Sequence, residues 1–136
     1  MATSRDRLDE LFRHCADLGI DVRWQDLGAT RRGEYHRDDN TIVLSSRLTG
    51  RQVVACLAHE LGHERFGHTC SSPANERRAW EYAAALVITP AEYADAEARV
   101  GADLAGLAIE LAVTPRLVEA WRRWWHLRGR TSATVA

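Results

Sequence analysis

The chain has 136 residues, 46% hydrophobic and 27% charged, which suits one globular core and excludes a second large one. A net charge of −1 argues against a molecule that binds nucleic acid by bulk electrostatics, and no apolar run approaches the roughly 18 residues of a membrane span. The start, Met-Ala-Thr-Ser-Arg-Asp-Arg, lacks the apolar stretch of a signal peptide, and three cysteines without a C-x-x-C pair fit a reducing compartment, so a cytoplasmic protein is expected.

Residues 4–18 repeat apolar side chains at helical spacing (Leu8, Leu11, Phe12, Cys15, Leu18), with Gly19 as a stop. Residues 20–24 alternate like a strand. Residues 34–36 and 41–44 flank Arg37-Asp38-Asp39-Asn40, whose turn chemistry predicts a hairpin or meander. Thr49 and Gln52 stand at capping-box spacing and open a helix that Gly67 would end. Ser72-Pro73, Thr89-Pro90 and Thr114-Pro115 each place a capping hydroxyl before Pro at the first helical position. They predict three further helices: one through Glu76, Ala79, Ala83 and Leu86, one closed near Gly101, and one through Trp121 and Trp125. A helix over about 102–112 lies between the last two. The order helix, short sheet, helices is that of an α+β domain, with a small antiparallel or mixed sheet on a helix pair. It is expected as one unit over residues 1–128, with 129–136 a flexible tail.

The chemistry concentrates in His59-Glu60-Leu61-Gly62-His63. Imidazoles at i and i+4 share one helix face and can reach one zinc ion, while the Glu between them reaches the open side as a general base. A catalytic zinc takes three protein ligands and keeps one position open. Glu76, in the first turn of the next helix after a reversing loop, is the best third ligand; Glu81 and Glu64 are its rivals. Ala79, one turn on, is small enough for close approach of the two helices. His68 could stabilise an oxyanion or cap a turn. Tyr35 could present its hydroxyl to a tetrahedral intermediate or be an ordinary half-buried sheet tyrosine. Cys70, near His68, reads as a small buried thiol rather than a ligand.

Residues 107–121 read like a helix-turn-helix within the helices of residues 102–127. Ala108 stands where the helices would cross, Ala112 replaces the usual turn Gly, and Val113, Val118 and Trp121 take core positions. From Arg116 onward five Arg stand against one Glu, and Arg116, Arg122, Arg123, Arg128 and Arg130 could touch phosphates. The apolar content of this pair exceeds what two helices bury alone, so packing on the Glu76 helix is expected rather than DNA contact.

The pentad, His68 beyond it, and the run Glu76-Arg-Arg-Ala79-Trp-Glu-Tyr82-Ala83-Ala84-Ala85-Leu86-Val87-Ile88-Thr89-Pro90 resemble the ImmA/IrrE family of bacterial and phage metallo-endopeptidases over residues 35–125. The resemblance implies a minimal gluzincin: Zn2+ held by His59, His63 and Glu76, with Glu60 as base. It further implies cleavage of a helix-turn-helix repressor in the cytoplasm of a bacterium or phage-infected cell, and helix-turn-helix-like C-terminal helices that pack on the peptidase part. Where that group often carries Asn or Asp, this chain has Trp80, which donates one N–H and accepts nothing. Another contact must then orient the histidines. The alternative is a non-proteolytic, zinc-containing regulatory module that acts by repressor sequestration or DNA contact.

Overall fold

A computed structural model describes residues 2–67 and 71–129. Among them it is an α+β structure with six α-helices and one three-stranded sheet. Helix α1 (Ser4–Asp17) opens on a capping box between Thr3 and Asp6 and stops at Gly19, whose φ of +69° suits a residue without a Cβ. Strand β1 (Asp21–Gln25) follows, then β2 (Gly33–His36) and β3 (Thr41–Ser45). The turn at residues 37–40 makes β2 and β3 an antiparallel hairpin, while β1 pairs with β3 in parallel. The sheet is therefore mixed, in the order β1-β3-β2. All five residues of the central strand β3 are buried, and both β1 and β2 present an edge.

Helix α2 (Gly50–Phe66) crosses the middle of the molecule. It touches α1, α3, β2 and β3, so residues 53 to 58 are buried in unbroken succession rather than along one stripe. Helix α3 (Pro73–Val87) packs along it. Helices α4 (Pro90–Val100), α5 (Leu104–Leu111) and α6 (Pro115–Trp124) follow, and a π-helical turn spans Trp125–Gly129. Ser72, Thr89 and Thr114 each accept a backbone N–H in the first turn of the helix they open. Helix α6 lies against α3, and Trp121 donates its indole N–H to the Ile88 carbonyl, 3.0 Å away. Ala108, Val113, Val118 and Trp121 are all buried.

Gly129, expected to open the tail, is buried against Trp124 and Trp125. The rest of the expected tail lies outside the described residues. No described helix is long and apolar enough to cross a membrane.

Candidate metal centre

The pentad lies in the second half of α2. His59 and His63 present Nε2 atoms to the same point, because a four-residue step returns to the same helix face. Glu76, one turn into α3, meets them there: its Oε2 lies 2.8 Å from Nε2 of His59 and its Oε1 3.0 Å from Nε2 of His63. One ligand atom from each of the three lies within 4.8 Å of the others, and each residue is partly buried. Zinc–nitrogen and zinc–oxygen bonds of about 2.0–2.2 Å would set neighbouring donors of a tetrahedron roughly 3.4 Å apart. The two carboxylate–imidazole distances, 2.8 and 3.0 Å, are somewhat shorter than that spacing, and the set as a whole lies within 4.8 Å. Two neutral-capable imidazoles and one carboxylate are also a donor set that a borderline-soft divalent cation accepts. The residues fit a metal.

Close contact of α2 and α3 makes the triad possible. A Cβ on Gly62 would lie 2.6 Å from the Ala79 carbonyl oxygen and 2.8 Å from its Cα, distances no side-chain carbon tolerates. Ala79 was legible as the small residue at this crossing; the structure adds Gly62 as its counterpart. A sequence signal existed, since Gly inside an apolar helix costs about 1 kcal/mol against Ala and implies a packing reason.

Trp80 does not hydrogen-bond the histidines. Its ring stacks on His59, centroids 4.2 Å apart and 15° from parallel, and its Nε1 finds no acceptor among the described residues. The imidazole is thus held by a flat aromatic wall. Its Nδ1 is 3.6 Å from Oε1 of Glu60, too far for a good hydrogen bond. Glu60 itself is buried at 7% exposure, under strand β2: a Cβ on Gly33 would touch its Cγ and Oε1 at 3.4 Å.

Burial alone would raise the Glu76 carboxyl. The charges of His59 and His63, with hydrogen bonds from His59 and Ser71, outweigh that and hold it below its ordinary 4.5. The rival carboxylates point elsewhere. Glu81 is buried and paired with Arg128 of the C-terminal turn, while Glu64 bears on Cys15, Tyr35 and Tyr82. Tyr35 donates its hydroxyl to Asn40 Oδ1 at 3.2 Å, inside the hairpin. His68 and Cys70 lie outside the described residues.

The C-terminal helices reach this centre in a way their sequence did not reveal. Arg116, the second residue of α6, sets its guanidinium carbon 4.3 Å over the Trp80 ring. Arg122 donates to the Tyr93 hydroxyl at 2.9 Å and to the Ala102 carbonyl. Two arginines that could have faced phosphates are engaged with the protein. No protein-family model matches the chain, and no curated protein does.

Proposed function

We propose that the chain is a zinc-dependent endopeptidase, with His59, His63 and Glu76 as metal ligands and Glu60 as general base. The observation that carries this reading is the convergence of three ligand atoms within 4.8 Å, beside a second, buried carboxylate, Glu60 of the pentad. A bound zinc supplies polarisation of the scissile carbonyl and acidification of the attacking water. Glu60, shielded by β2, takes the proton from that water and returns it to the leaving amine. Burial keeps competing solvent from its carboxylate. Among the described strands β2 is an edge of the sheet, packed on α2, and an extended substrate can add there as a further strand. The Trp80 stack fixes the His59 ring, the orienting role that a hydrogen-bonded partner has in many zinc sites.

The substrate we infer is a helix-turn-helix repressor, so that cleavage relieves repression of a phage, mobile-element or stress gene. The engagement of Arg116 and Arg122 within the protein favours packing over DNA contact for α5 and α6. The test is Glu60→Gln. The variant should keep stoichiometric zinc by elemental analysis and lose cleavage of the repressor encoded by a neighbouring gene, read by intact mass. Cleavage undiminished in Glu60→Gln, or a wild-type protein that takes up no zinc, would overturn the reading. A biological effect that survives in the variant favours the sequestering module instead.

A further inference from the structure

His59, Trp80 and Arg116, from α2, α3 and α6, form one column. The indole lies 4.2 Å from the imidazole and 15° from parallel to it, which fills one face of the indole. The Arg116 guanidinium carbon, 4.3 Å from the indole centroid, therefore covers the opposite face. Its position is set by its backbone, since Thr114 caps α6 and Pro115 fills the first helical position. Among the described residues no carboxylate lies within 4.0 Å of Arg116, so no ion pair draws the guanidinium off the ring.

Hydrogen bonds leave both rings of this stack free to turn. A histidine that ligates zinc through one nitrogen ordinarily takes its orientation from an acceptor on the other. With Nε2 of His59 facing the triad, Nδ1 has only Glu60 Oε1 at 3.6 Å, beyond good hydrogen-bond distance. Trp80 is 8% exposed, and its Nε1 has no acceptor among the described residues. The imidazole therefore depends on the indole face for its orientation, and the indole depends on what presses on its outer face. Arg116 is the group printed there by the fold, and the attraction between a cation and the face of an indole holds the two together.

We propose that Arg116 is a positioning residue of the metal centre: by holding Trp80 against His59 it presets the imidazole for the metal, so that α6 helps to set metal affinity. The proposal rests on the metal-binding part of the reading above and not on peptide cleavage. Arg116 has two opposed effects on a bound dication. Its positive charge repels the ion, whereas its stack restricts the rotamers that His59 must give up on binding. The charge is exposed and a whole indole away from His59, where solvent and salt screen it. The stack acts on a buried ring. The stack wins, and removal of the arginine weakens metal binding. Charge repulsion alone has the reverse sign, which makes the two separable.

The full chain is compared with R116A, R116K, W80F, W80L and the R116A, W80L double variant. Zinc affinity is read by competition with a chromophoric chelator at fixed pH, ligand arrangement by visible absorption of the cobalt-loaded chain, and metal-free stability by thermal unfolding. R116A should bind zinc about two- to fivefold more weakly, the ratio to which a cation–π contact at an exposed site corresponds, with metal-free unfolding unchanged. R116K, which keeps a cation over the ring, should recover part of the loss. W80F keeps a flat face and lacks only the unpartnered N–H, so it should bind within about twofold of wild type. W80L should lose more than R116A, and adding R116A to W80L should weaken binding no further. The cobalt spectra of R116A and W80L should shift in the same direction. Zinc affinity unchanged or increased in R116A, an equal loss in the W80L background, or metal-free stability that falls along with affinity would overturn the proposal. If the wild-type chain binds zinc with this pattern but cleaves no repressor, the peptidase reading fails and the positioning role stands. A wild-type chain that takes up no zinc removes both.

Discussion

The residue with least to offer chemically, Gly62, has a large effect on the site. It sits between the two histidines of the triad in sequence, and its missing Cβ lets the Ala79 backbone approach to a distance that puts Glu76 against both imidazoles. Gly62→Ala should therefore separate α2 from α3. We expect a loss of about 1–3 kcal/mol and weaker zinc uptake, measured by thermal unfolding with and without zinc. The clash is with backbone atoms, so Ala79→Gly should not relieve it. Glu76 provides a second test. Its carboxyl titrates below its ordinary 4.5 in the folded protein, so the ionised form is favoured by folding. The stability this contributes is complete above about pH 4.5 and is lost as pH falls through the lower folded value. In metal-free protein, Glu76→Gln should flatten that acid limb of the stability curve; an unchanged limb would place the effect on another carboxylate. The histidine pair and Glu76 were legible because i, i+4 spacing and a first-turn carboxylate are local facts. The Trp80 stack and the Arg116 column were not, since they join residues from three helices.

At the scale of elements, the helix starts follow from side-chain chemistry within four residues. Ser or Thr before Pro recurs at α3, α4 and α6, and each opens within a residue of the expected place. The strand partners were less accessible. The hairpin of β2 and β3 follows from its turn, but the parallel pairing of β1 with β3 depends on which edge is left once the hairpin has formed. One element junction carries strain. Ala112 closes α5 with φ +56°, in the left-handed region that costs a residue with a Cβ about 1 kcal/mol. Its N–H is bonded to the carbonyls of Ala108 and Ile109 and its carbonyl accepts from Ser4, so the conformation is held by its neighbours. Ala112→Gly should stabilise the protein by about 0.5–1 kcal/mol in urea denaturation, with zinc uptake unchanged. A destabilised variant would show that the Ala methyl contributes packing greater than the backbone strain.

For the whole molecule, Arg7 ties distant parts together. It is 6% exposed, donates to the carbonyls of Val87 and Leu111 at the ends of α3 and α5, and pairs with Glu92 at the start of α4 at 3.0 Å. One guanidinium thus satisfies the orphan carbonyls of two helix ends and a capping carboxylate. Arg7→Met should cost about 3 kcal/mol by equilibrium unfolding, and Arg7→Lys nearly as much, because an ammonium cannot serve three diverging directions. A loss under about 1 kcal/mol would mean that water replaces all three bonds. By itself the sequence determined where the helices begin, that strands precede a helical second half, and which three side chains could converge on a metal; each rests on spacing, capping or periodicity within a few residues. Only the tertiary structure decided the mixed pairing of the sheet, the Gly62–Ala79 contact that closes the triad, the aromatic wall behind His59, and the arrival of Arg116 beside it. These contacts join segments tens of residues apart, and no local propensity encodes a meeting that exists only once the core has packed.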